Sequence, residues 1–213
     1  MNRSAIALET IRSQIFSGHL QPGDNISIPK LAKELGISRQ PLNEALKQLA
    51  SMKIVEIIPQ VGSIVTTPKK DDVVNFLYIF SAIEAAIFAR VAEVARPEEL
   101  ENLDGIIKSD YKKWTEAKTD TSKSEIYRQH NRNFHTGMHT AARSSVMTDI
   151  SYPLWDRMDF YITVAIGAHS FAPRLPDAFE EHREILAAIN SKDTKKVRHL
   201  TEQHVQSFIN EIS

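Results

Sequence analysis

The chain has 213 residues, 42% of them hydrophobic and 25% charged, with a formal net charge of -1. This is the make-up of an ordinary globular protein with a real core, in one large domain or two modest ones, and it excludes a disordered or fibrous chain. Because there is no cysteine, disulfide and thiolate chemistry are excluded, any metal must be held by His, Asp, Glu or Asn, and a reducing cytoplasm is the expected setting.

The opening MNRSAIALETIRSQIF has no signal-peptide pattern. No stretch approaches the roughly 18 apolar residues of a membrane span, so no membrane partner is expected. Residues 5–17 carry Ile6, Leu8, Ile11, Ile15 and Phe16 near helical spacing, with Gly18 as the stop. HLQPGDNIS is a turn around Pro22-Gly23. Ser27 caps a short helix, IPKLAKELG, with Pro29 in its first turn and Gly36 at its end. Ser38 caps the next helix, RQPLNEALKQLASM, which buries Leu42, Ala45, Leu46 and Leu49. The period then changes: IVEIIP and SIVTT are β-branched runs separated by QVG, which predicts a small hairpin.

Three helices and a hairpin make residues 1–67 a winged helix-turn-helix. A polar linker follows at 68–74, opened by PKKDD. Residues 75–213 form an all-α bundle, giving a mainly α protein. Helices are placed near 72–95, 97–115, 122–142, 145–168, 176–191 and 193–212. Pro97, Pro153, Pro173 and Pro176 fall at or near the breaks, Pro153 as a kink, and Ser170 and Asp193 serve as caps.

Between the two short helices stands LGIS, residues 35–38. A Gly-containing turn lets the second helix project steeply enough to enter a major groove. That helix begins with Ser38, Arg39 and Gln40, followed by Asn43 and Lys47. Arg suits the O6/N7 edge of guanine, and Gln or Asn the N6/N7 edge of adenine. Gln60 and Gly62, with Ser63, sit at the wing tip, where a Gly permits close approach to the sugar-phosphate backbone. The charge distribution agrees. Residues 1–67 hold seven Lys/Arg and five Asp/Glu, a balance of +2 that leaves -3 for the remainder. An ordinary helical hairpin with a solvated polar face is the competing reading of this stretch.

The stretch from Ser17 to Val65 resembles the winged-helix domain of the GntR family of bacterial regulators. The resemblance lies in the Gly-x-Leu-x-Pro-Gly entry, Leu-Ala-x-x-Leu-Gly-Ile-Ser-Arg-x-Pro-Leu, Glu-Ala-Leu, and the Pro-x-x-Gly-x-x-Val wing. It departs from the family at Asn43, where an Arg near phosphates and bases is usual, so operator preference is expected to be unusual.

Residues 72–213 resemble the FCD effector domain of the FadR-like branch of that family. The features are Ile83-Glu84, Asn133-Phe134-His135, the run from Glu181 to Ile189, Asp193 and His204. Spacing adds to this. Asn131 and His135 share a helical face. His182 and His204 each lie about 10 residues, roughly 15 Å of rise, from the turn that joins their helices. Three imidazoles and an amide can thus converge inside a bundle. The resemblance implies a divalent metal site at Asn131, His135, His182 and His204, with Asn131 standing where the family has Asp. Zn or Ni suits such a set.

The resemblance also implies a small-molecule effector, a carboxylate, sugar acid or other organic acid; His139 is a candidate cavity-lining contact, and Arg132, Arg183 and Arg157 are the candidate cations, with solvated surface charge as the competing reading. Ser81 stands where many such domains carry an Arg. His19, His130, His169 and His199 are read as surface or hydrogen-bonded core residues. Tyr152, Trp155, Phe160 and Tyr161 are read as core.

The expected function is a ligand-responsive, cytoplasmic transcriptional regulator, a repressor, that binds a pseudo-palindromic double-stranded operator as a homodimer and is not an enzyme. Two rivals stay open. One is a metal-dependent hydrolase using the histidines, for which Glu181 and Glu184 flank His182 without an H-E-x-x-H pattern. The other is a winged-helix scaffold that contacts only proteins.

Overall fold

A computed structural model describes residues 2–166 and 175–212. The chain divides into two compact units, Met1–Lys69 with Pro153–Ala168, and Lys70–Tyr152 with His169–Ser213.

In the first unit, α1 (Arg3–Phe16) starts at Asn2, whose side chain accepts from the Ser4 amide, and buries Ala7, Ile11 and Ile15 at successive turns. Helix α2 (Ile28–Leu35) is capped by Ser27, whose hydroxyl accepts from the Lys30 amide at 3.4 Å. Pro29 is tolerated because the first-turn amides have no helical partner. Gly36 ends α2 in the left-handed region at φ 62°, where a Cβ would be strained. Helix α3 (Arg39–Ser51) then buries Leu42, Ala45, Leu46 and Leu49, as the spacing requires.

Ser38 occupies the N-cap position of α3 with extended backbone, but its side chain makes no capping bond, contrary to the expected cap. The hairpin forms as β2 (Val55–Ile58) and β3 (Gly62–Val65), paired antiparallel with Val55 opposite Val65. The segment HLQPGDNIS, expected to be a turn throughout, also carries a short strand. Within it, Asn25–Ile26 forms β1, which pairs with the other side of β3, giving a three-stranded sheet in the order β1-β3-β2. Ile26 is buried there; a two-residue strand is too short to show alternation.

The second unit begins with α4 (Lys70–Val94), so most of the polar 68–74 stretch joins a helix, helped by Asp71 and Asp72 in its first turn. Along the chain follow helices α5 (Pro97–Glu116), α6 (Asp120–Ala142), α7 (Ser145–Ile166), which belongs to this unit as far as Tyr152, α8 (Leu175–Asn190) and α9 (Thr194–Ile212). They lie close to the expected spans. Pro153 lies inside α7. Asp193 caps α9 through its carboxylate and the Lys196 amide, as expected. The Ser170 cap, Pro173 and His169 lie outside the described residues.

Helix α4 packs along α9 and α6, α5 along α6 and α8, and α8 along α9. Contrary to the hydropathy expectation, α4 is long and apolar enough to cross a membrane by length and composition alone. Its apolarity has another use here: Phe76, Leu77, Phe80, Ile87 and Phe88 are all core residues. Tyr152, read as core, is instead 57% exposed, whereas Trp155, Phe160 and Tyr161 are buried.

Candidate nucleic-acid interface and metal centre

Helix α3 turns its apolar positions inward, which leaves Ser38, Arg39, Gln40, Asn43 and Lys47 exposed on its other side. Glu44, also exposed, was not among the expected contacts, and Gln40 donates to it at 3.3 Å. At the wing tip, Gln60 and Gly62 are exposed with φ of 64° and 128°, which bend the backbone outward between β2 and β3. Ser63 instead points inward and is buried. The first unit thus presents a polar helix face whose donors and acceptors match those of base edges, and a projecting hairpin.

In the second unit the imidazoles of His135, His182 and His204 meet, with one ring nitrogen from each lying within 4.8 Å of the others. All three side chains are buried. His182 Nε2 and His204 Nε2 are 3.1 Å apart. Two nitrogens each ~2.05 Å from a tetrahedral ion would stand about 3.3 Å apart.

Each of these rings is held from behind. His135 donates from Nδ1 to Glu84 Oε2 at 2.8 Å. His204 donates from Nδ1 to Glu181 Oε2 at 2.6 Å. His182 Nδ1 meets His130 Nε2 at 2.9 Å, and His130 Nδ1 in turn faces Asp110 Oδ2 at 3.4 Å. The rings are also clamped flat, His182 on Phe134 at 4.1 Å between centroids and His130 on Phe179 at 4.3 Å.

Glu84 is fully buried in α4 and receives three donors: His135, His139 Nε2 at 2.9 Å, and the Ser151 hydroxyl. Burial alone would push its carboxyl up, but the hydrogen bonds and charge of His135 and His139 outweigh this and hold it at about 2. Burial drives His135 down to about 4 against the opposing pull of Glu84. Burial likewise takes His130 down to about 4 against Asp110. His182 falls well below the usual imidazole range through burial and the neighbouring imidazoles. At neutral pH, His130, His135 and His182 are therefore uncharged, the form in which imidazole ligates, and Glu84 is a buried anion.

These residues fit a divalent cation. A buried carboxylate among neutral imidazoles leaves negative charge for which a cation compensates. Asn131, one turn before His135, has a buried Oδ1 with no hydrogen-bond partner. The three imidazole nitrogens brought together suit zinc or nickel.

The expected ligand contacts have these surroundings. His139 is buried and bound to Glu84, and its Nδ1 has no hydrogen-bond partner. Arg132 is half-buried. Arg183 pairs with Glu180 at 2.8 Å and lies over the Tyr111 ring at 4.6 Å, so its charge is engaged beside its own helix. His19 and His199 are exposed, as read. His130 is hydrogen-bonded core, one of the two readings given to it; the supports that sequence reasoning missed are Asp110 and Ser151, together with the supporting roles of Glu84 and Glu181. Glu84 left one signal, a carboxylate in the apolar stripe Phe80, Glu84, Phe88. The 52-residue separation of His130 from His182 left none.

A winged helix-turn-helix exposing such a helix, in one chain with a bundle enclosing an imidazole cluster, defines a DNA-binding transcriptional regulator. Residues 4–65 match the gntR family of bacterial regulatory proteins and residues 77–207 match the FCD domain, and the chain belongs to that family in its FCD-carrying branch. Its relatives include the HTH-type transcriptional regulator McbR of Escherichia coli K12, 25% identical over 202 residues, covering 93% of this chain and 87% of McbR. The repressor GlaR of the same organism is 22% identical over 198 residues, covering 92% and 89%. The solved structure of E. coli McbR/YncC superposes with a TM-score of 0.77 at 22% identity, covering all of this chain and 97% of that one, which establishes the shared fold. The family consists of regulators and not enzymes, and nothing in the comparisons supports the hydrolase alternative.

Proposed function

We propose that this regulator is a cytoplasmic repressor that binds a pseudo-palindromic operator as a homodimer and responds to a small carboxylate and a divalent metal. Residues 1–67 are the DNA-binding module, 68–74 the connection, and 75–213 the effector-binding and dimerisation module. In the first module, Arg39 reads guanine, Gln40 and Asn43 read adenine, and Ser38, Lys47, Gln60 and Gly62 hold the backbone. In the second, Asn131, His135, His182 and His204 hold zinc or nickel. When bound, the ion supplies a Lewis-acidic position that an effector carboxylate can occupy. His139 lies one turn beyond His135 and supports that ligand, with Arg132 and Arg183 as further contacts. The effector shifts DNA affinity only by preferring one arrangement of the protein.

The observation that carries this reading is the convergence of three buried imidazoles, each oriented by a hydrogen bond on its other side. The test is a gel shift on the protein's own upstream region across a salt series, with zinc or nickel supplied or stripped. Binding should weaken steeply as salt rises, because phosphate contacts release counterions. His182→Ala with His204→Ala should abolish metal content in a native mass spectrum. Salt-independent retention of DNA, or full metal stoichiometry in the double variant, would overturn the respective half.

A further inference from the structure

We propose that Asp110 and His130 are positioning residues for His182, forming a relay that fixes which nitrogen this ligand offers to an ion. The proposal rests on the metal site described above and concerns this chain's own side chains around it.

The three cluster histidines are not supported alike. His135 and His204 each meet a carboxylate directly, Glu84 and Glu181. His182 reaches its carboxylate only through a second imidazole, His130, which is itself fully buried. Asp110 on α5, His130 on α6 and His182 on α8 therefore tie three helices together. At the outer end, Lys113 pairs with Asp110 Oδ1 at 2.7 Å and leaves Oδ2 turned to His130.

The hydrogen bonds have one sense that satisfies every atom when His182 Nε2 serves an ion. His182 then carries its proton on Nδ1 and donates to His130 Nε2. His130 carries its proton on Nδ1 and donates to the Asp110 carboxylate, which can only accept. The opposite sense would leave the bare His130 Nδ1 facing a carboxylate oxygen, two acceptors in contact. Asp110 therefore selects the tautomer of His130, which selects that of His182. The stacking on Phe179 and Phe134 keeps both rings from turning out of line. His130 itself is no ligand, since both of its nitrogens are engaged within the relay.

The experiment uses the full-length protein, stripped with a chelator and titrated with Zn²⁺ against a chromophoric competitor. His130→Phe keeps the aromatic packing and should lower zinc affinity about 10–100-fold, the range for supports of ligating histidines. His130→Gln, which restores a polar atom toward His182 Nδ1, should fall between His130→Phe and wild type. Asp110→Asn should give a smaller loss. His199→Phe, on the exposed side of α9, should bind as wild type does. In ¹⁵N spectra of the zinc-loaded protein, His182 should be protonated at Nδ1 and ligated at Nε2, and that signature should weaken in His130→Phe.

If His130→Phe melts like wild type and binds zinc equally well, the relay is only core packing and the proposal fails. Should His130→Phe not fold, an unchanged zinc affinity in Asp110→Asn overturns it instead. A wild-type protein that binds no zinc removes both the ion site and the relay, whereas a wild type that binds beside an equally avid His130→Phe removes the relay alone.

Discussion

Arg39, Gln40, Asn43 and Lys47 all stand on the outside of one helix, α3, where a local pattern of apolar positions decides which way each points. The imidazole cluster is assembled differently. Its parts come from α6, α8 and α9, their supports come from α4, α5 and α7 as well, and most of these side chains are buried. An exposed site on one helix can change a residue with little effect on stability, because water replaces the lost contact. A buried polar site cannot, because each removed partner leaves another group unsatisfied. The two units should therefore respond oppositely to mutation, the first in binding and the second in stability.

The sharpest way to break that contrast is Glu84→Ala. It removes the acceptor for His135, His139 and Ser151 at once and should cost about 3–5 kcal/mol of stability. Chemical denaturation of the metal-free protein measures it. A loss below about 1 kcal/mol would mean the buried network is not the tightly coupled unit described above.

Arg39→Ala should show the opposite profile. Specific operator affinity should fall by about 1–3 kcal/mol, roughly 5–150-fold, with the thermal midpoint unchanged. Fluorescence anisotropy on operator and scrambled duplexes, set beside a melting curve, checks both parts. Equal loss on both duplexes would make Arg39 a phosphate contact and not a base reader.

The smallest effect distinguishes two serines that look alike in sequence. Ser27→Ala removes a capping bond and should destabilise the first unit by about 0.5–1 kcal/mol. Ser38→Ala removes none, so its stability should change little while operator affinity falls. Urea denaturation separates the two, and similar losses would return Ser38 to a capping role.

Much of the first unit was legible because its signals are local. Apolar periodicity fixed the burial of Leu42, Ala45, Leu46 and Leu49, Gly36 marked a left-handed stop, and the polar remainder of α3 had nowhere to face but solvent. What failed there was pairing that depends on a distant partner: β1 exists because β3 offers it a free edge, and two residues carry no period of their own. In the second unit the helices followed from spacing, and the convergence of His135, His182 and His204 was implied by the family resemblance and allowed by an antiparallel turn.

The amino-acid order alone thus determined the helices, the hairpin and the outward face of the reading helix, while the choice of His135, His182 and His204 came from the family resemblance, with which their spacing agrees. Folding decided which nitrogen each imidazole presents, that His130 stands between Asp110 and His182, and that Glu84 gathers donors from α6 and α7. Backbone periodicity acts over a few residues, so sequence carries it. A hydrogen bond across a bundle depends on the rotation and stacking of separate helices, which no stretch of chain specifies until all of them are packed.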